Sequence, residues 1–180
     1  MGYEFSAGEA LIGKVLVATP VLLDPNFHQT VVYIAEHSAA GALGFVMNRP
    51  LGQTLGAVTK ATDLPAGLQD VPVFIGGPVK PNSLLFARFR RGPHDEDVRC
   101  EILTDPTKGT SAGIRAFAGY SGWGEGQLER ELTEESWKVV APHVALLEDP
   151  VPPALWAAFI SEDQRWRKLY PLLPKATGLN

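Results

Sequence analysis

The chain has 180 residues, 45% of them hydrophobic and 20% charged, and a formal net charge of -4 at pH 7. This fits one folded domain with a sizeable core and excludes global disorder. The acidic balance lacks the basic footprint of a nucleic-acid-binding domain. A single cysteine, Cys100, excludes an intramolecular disulfide and fits a reducing, cytosolic setting.

The first residues contain no basic stretch leading into a long apolar one, so no signal peptide is expected. Residues 14–18 read as a buried strand ended by Thr19-Pro20. The apolar run continuing to Leu23 is too short to cross a bilayer. Asp24-Pro25-Asn26 gives turn chemistry, and Thr30–Ala35 is a β-branched and aromatic strand. Residues 36–42 read as a loop and Leu43–Asn48 as the returning strand of an antiparallel hairpin, ended by Arg49-Pro50. A short helix is predicted over Thr54–Ala61, then a polar connector over Asp63–Asp70.

Val71–Ile75 is a strand, with Pro72 at its start or edge, and Gly76-Gly77-Pro78-Val79 is a sharp turn. Ser83–Arg88 and Val98–Leu103 form a hairpin across a charged tip, Arg90–Asp97; the basic run Arg88-Phe89-Arg90-Arg91 and the acids Asp95-Glu96-Asp97 read as two sides of a solvated turn rather than a phosphate-binding patch. The alternation Val98-Arg99-Cys100-Glu101-Ile102 puts Cys100 on the buried face as a small core hydrophobe. Thr104–Thr107 can start a helical turn. Gly113–Tyr120 is a strand with Ile114, Ala116 and Ala118 on one face and Arg115, Phe117 and Gly119 on the other. A glycine-dense turn leads into a helix over Glu125–Leu132 and a last strand, Trp137–Val140. Pro152 and Pro153 suit a helix start. Leu155, Trp156, Phe159 and Ile160 make its apolar stripe, which Trp166, Leu169 and Tyr170 extend.

This order predicts a single α+β domain with a mixed, largely antiparallel sheet and C-terminal helices. The core spans about residues 13–160, with the arm 1–12 and the tail 171–180 peripheral.

Three constellations could carry function. The first is Gly119–Glu131, with Tyr120, Trp123, Gly126, Gln127 and Glu129 as candidates for binding a ligand or partner. Its glycine spacing matches neither a phosphate loop nor a dinucleotide fingerprint, and Gly119-Tyr120-Ser121-Gly122-Trp123 misses the nucleophile elbow by its last residue. The bland reading is a turn that packs Trp123 into the core. The second is Asp24 and His28 before the predicted strand 30–35, and Glu36 and His37 after it. That strand spans roughly 20 Å, so the two histidines do not meet through local structure, and no metal motif is present. Capping is the structural alternative. The third is Asn48 and Arg49 with Gly76 and Gly77. Arg49 can grip a carboxylate or phosphate, or form an internal salt bridge, while the glycines satisfy a turn.

Taken together, Leu22–Phe27, Val31–His37, Gly41–Pro50, Gly76–Val79 and Tyr120–Trp123 through Gly126–Glu131, in that order, resemble the AlgH/YqgE family. The resemblance covers about Gly13 to Trp156. It implies a bacterial cytosolic protein with a barrel-like or strongly curved sheet, and it carries over no catalytic residues. Members carry the label of transcriptional regulators. Here no helix-turn-helix and no basic recognition helix accompany that label. The expected function is therefore a non-catalytic binding or regulatory protein acting through a small anionic ligand or a protein partner, with no cofactor. A hydrolase joining His28 or His37 to carboxylates, and direct DNA binding, are the alternatives.

Overall fold

The computed structural model describes residues 10–60, 64–148, 151 and 154–163. Its strands are β1 (Val15–Ala18), β2 (Val31–Ser38), β3 (Gly41–Val46), β4 (Pro50–Thr54), β5 (Pro72–Ile75), β6 (Val79–Arg91), β7 (Val98–Leu103), β8 (Ile114–Gly124) and β9 (Trp137–Val140). Four helices are described: α1 (Leu55–Thr59), α2 (Ala66–Gln69), α3 (Gln127–Thr133) and α4 (Leu155–Ser161), with a 3-10 turn at Val144–Leu147.

The sheet is mixed and largely antiparallel, as predicted, and it curls into a half-barrel. Its strands run β4-β5-β8-β3-β2-β1-β9, with β6 paired to both β8 and β7. Strand β8 links the two halves. Ala116–Ala118 lie parallel to Val73–Ile75 of β5, and Ser121–Gly124 lie antiparallel to Gly41–Gly44 of β3. β1 and the first half of β2 are buried on both faces, which is why they read as near-continuous apolar runs. Inside the curl, Phe45 stacks on Phe117 with ring centroids 4.4 Å apart, and Phe74 and Phe89 pack around that pair. Helix α4 adds Trp156, Phe159 and Ile160 to this core. The opposite face of β1, β2 and β9 buries Leu16, Val32 and Val139 against Leu11, Trp123, Leu128 and Trp137. A third cluster seats α1 and α2, through Leu55 and Leu68, on Val73, Ile114 and Ala116.

The predicted faces of β8 hold: Ile114 and Ala116 enter the third cluster and Phe117 the inner core. The predicted stripe on α4 is buried throughout. The predicted hairpin of β6 and β7 pairs from Phe86↔Leu103 to Arg91↔Val98. At its tip Arg90 and Arg91 are exposed, but Arg88 is buried beneath the loop after β7, bonded to Glu101 and to the Thr110 carbonyl.

Several local expectations are corrected. Residues 36–38 are strand rather than loop. A bulge between Ile34 and Glu36 and a tight turn at Ala39-Ala40 let the pairing run on to Ser38↔Gly41. Residues 121–124 continue β8 instead of forming a turn, because β3 supplies their partners. The connector contains α2, held by the burial of Leu68, and Pro50–Thr54 forms the exposed edge strand β4. Thr104–Thr107 is a turn closed by the Asp105 carboxylate on the Thr107 N–H, not a helix. Pro152, Pro153, Trp166, Leu169, Tyr170 and the tail 171–180 lie outside the described residues.

Candidate functional site

The motif Tyr120 to Glu131 closes on itself through Glu131. This carboxylate accepts the indole N–H of Trp123 at 2.9 Å and that of Trp137 at 2.7 Å through one oxygen. Its other oxygen accepts Gln127 Nε2 at 3.0 Å, and Gln127 Oε1 accepts the Gly124 N–H at 3.1 Å. Phe27 completes an aromatic cluster, stacked on Trp123 at 6.1 Å and edge-on to Trp137 at 5.4 Å. Trp123 is therefore a core side chain with a satisfied polar end. Gly126, at φ 67°, starts α3 in a left-handed conformation that suits glycine. Glu131 was not among the residues singled out in the sequence. A signal exists: it lies three positions after the buried Leu128, on the core-facing side of α3.

His37 and Glu129 are brought together. The Leu11 N–H donates to His37 Nδ1 at 3.0 Å, so that nitrogen carries the lone pair. Nε2 then carries the proton and donates to Glu129 Oε1 at 3.0 Å. With its side chain 8% exposed and both ring nitrogens engaged, His37 ties the segment before β1 to α3. It has no lone pair left with which to take a proton from a nucleophile. His28 sits at the far end of β2, its Nδ1 3.4 Å from the Leu22 carbonyl oxygen. The extended part of β2 between them, Val31 to His37, spans about 20 Å.

Asn48 and Arg49 stitch the segment before β2. Asn48 Oδ1 accepts the Val31 N–H at 2.8 Å, and its amide donates to the Gln29 carbonyl at 2.9 Å. Gln29 has φ 57°, so Asn48 stabilises a backbone shape that few residues adopt. The Arg49 guanidinium donates to the carbonyls of Asn26, His28 and Pro25 at 2.7, 3.0 and 3.2 Å. The sequence left a salt bridge or an anion as its partner; the fork instead faces backbone oxygens. Asp24 caps the same turn by accepting the Asn26 N–H at 2.8 Å. Burial lowers the Arg49 pKa, and neighbouring Asp24 opposes that shift.

Gly76 and Gly77 cross β8. A Cβ on Gly76 would lie 2.3 Å from the Gly119 carbonyl oxygen, and one on Gly77 2.3 Å from the Tyr120 carbonyl carbon. The Gly76 carbonyl accepts both the Val46 N–H at 2.9 Å and Ser121 Oγ at 3.1 Å. The buried Ser121 hydroxyl is thus engaged, too. Beside this crossing lies an open groove of about 610 Å³, bordered by Ile12, Glu36, Leu43, Val79, Tyr120 and Gly122 among others. Glu36, His37, Tyr120 and Trp123 thus converge at one end of the sheet, while Asp24, His28, Asn48 and Arg49 gather at the other.

Cys100 joins the inner core from β7, and burial first, then Glu101, pushes its thiol from 9.0 up to about 12. At pH 8 the folded protein is expected to react with a thiol-specific disulfide reagent at least tenfold more slowly than in urea. Equal rates would show an open thiol. The fold favours the neutral thiol, so this contribution to stability is complete below pH 9.0 and fades as the pH rises towards about 12.

Among the described residues no group of three or more His, Cys, Asp or Glu could hold a metal ion, and no helix is long and apolar enough to cross a membrane.

Comparison with known proteins agrees with the architecture. The sequence model of the AlgH-like family matches residues 15–164. A UPF0301 protein of Streptomyces coelicolor is 36% identical over 190 aligned residues, covering 95% of this chain and 96% of that protein. One of Rhodococcus jostii is 36% identical over 162, covering 81% and 79%. The solution structure of the AlgH protein from Pseudomonas aeruginosa superposes with a TM-score of 0.64 at 29% identity, over 88% of this chain and 92% of that one. A crystal structure of a Corynebacterium diphtheriae protein gives 0.67 at 22% identity, over 92% and 94%, a likeness of fold. The chain belongs to the AlgH-like family.

Proposed function

We propose that this chain is a binding protein that receives an extended segment of a protein partner in the groove beside Tyr120, and that any regulatory role runs through that partner. The groove carries the reading. It is open and floored by β2, β3 and β8, and its borders include the exposed apolar side chain of Ile12, 57% accessible. A small molecule there would keep much of its surface in water, whereas small-ligand sites enclose most of theirs. A chain lying along the strands would cover the groove. The lining includes the carboxylate Glu36 and neither lysine nor arginine, which counts against an anionic ligand at this place. The engaged nitrogens of His37 count against a hydrolase, and four described helices of four to seven residues offer no recognition helix for a DNA groove.

The test is a photo-crosslinking amino acid in place of exposed Ala40, with exposed Thr107 as control, in cells of the native host. A discrete protein adduct from position 40 and none from 107 is expected. No adduct at 40, or the same adducts at both, would overturn the reading.

A further inference from the structure

The groove's chemistry points to one kind of side chain in the occupant. We infer that it takes a lysine or arginine side chain of the partner segment, with Glu36 as the countercharge and the Tyr120 ring as a flank; this rests on the binding role proposed above. The register carries the inference. Glu36 pairs with Leu43, and Leu43 pairs with Gly122, so the three form one row across β2, β3 and β8. Directly opposed residues in a sheet project to the same face. The row therefore runs from a carboxylate, over an apolar side chain, to Gly122, whose missing side chain lets the Tyr120 ring and Val79 lie over the strand: Tyr120 Cε2 and Val79 Cγ2 lie 3.2 and 3.4 Å from where a Gly122 Cβ would be. Adjacent strands are about 4.8 Å apart, so the row spans about 10 Å, the scale of one long cationic side chain.

Glu36 is exposed and, among the described residues, its carboxylate has neither a hydrogen bond nor an ion pair. The same holds for the Tyr120 hydroxyl. A carboxylate unengaged at one end and an aromatic ring at the other suit a cation with an apolar stem. The stem would lie along Leu43, and the head would reach Glu36 or the face of Tyr120. Glu129, the nearby acid of α3, is already occupied by His37, which leaves Glu36 as the available charge.

The isotope-labelled full chain titrated with n-butylguanidinium, and separately with butyrate, tests this by amide chemical shifts. With n-butylguanidinium, saturable shifts confined to residues 36–43, 79 and 120–123 are expected, weakened at least fivefold in Glu36→Gln and unchanged in Glu96→Gln, an exposed acid outside the groove lining. Butyrate should leave these amides still. Equal affinity in Glu36→Gln, equal weakening in Glu96→Gln, or a preference for butyrate would overturn the cation assignment. If the assignment fails while position 40 still crosslinks, the binding role stands with a different side chain in the groove. If both fail, the binding role falls with it.

Discussion

Replacing Glu131 with alanine is expected to destabilise the fold by about 2–5 kcal/mol, because two indole N–H donors lose their acceptor together. Trp123 and Trp137 are both buried, so neither can recover the bond from bulk water without opening the cluster. The Gln127 side chain loses its partner as well, which loosens its hold on the Gly124 N–H. Glu131→Gln separates charge from hydrogen bonding. A glutamine carbonyl can still accept both indoles, and only the contact with Gln127 must rearrange, so a loss of about 1 kcal/mol is expected. Urea unfolding followed by tryptophan emission measures both. Equal losses for Ala and Gln would mean that the charge matters rather than the acceptor; a loss below about 1 kcal/mol for Ala would mean that the indoles find other partners.

Glu131 also illustrates what the sequence could and could not yield. The elements were legible where one pattern decided them: a short apolar run for β1, a β-branched and aromatic run for β2, alternation for β7 and β8, an apolar stripe for α4. Failures came where a distant partner overrides local character. Glu36-His37-Ser38 is polar and looks like loop, but pairing with Gly41–Leu43 and the further pairing of β3 with β8 make it strand. Ser121–Gly124 looks like a glycine-dense turn, but pairing with β3 makes it strand. The candidate residues were found as types and places, but not as pairs. His37 meets Glu129 across 92 positions, and Arg49 turns out to face carbonyls, which carry no mark in a sequence. The groove was not legible at all. It arises where a glycine in β8 falls opposite Leu43, and only the register reveals that.

The glycines that looked like turn residues are mostly there for close approach, and this leads to the largest effect expected. Gly77→Ala should leave little or no folded protein, a loss above about 4 kcal/mol. Gly77 has φ 152°, and its added Cβ would fall 2.3 Å from the Tyr120 carbonyl carbon and 2.5 Å from the Ser121 nitrogen. Both neighbours are backbone of β8, paired on either side, so neither can yield without breaking the link between the two halves of the sheet. Two other glycines separate strain from clash. Gly52 has φ 72° with nothing within 4 Å of an added Cβ, so Gly52→Ala carries only the left-handed penalty, about 1–2 kcal/mol. Gly124 is equally open and has no positive φ, so Gly124→Ala should stay within about 1 kcal/mol of the parent. Circular dichroism melts of the three variants should therefore rank Gly124, Gly52, Gly77 from mild to severe. A folded Gly77→Ala variant with a near-parental melt would mean that the crossing of residues 76–77 over β8 is looser than these distances imply, and that the wall of the groove formed by Val79 and Tyr120 can shift with it.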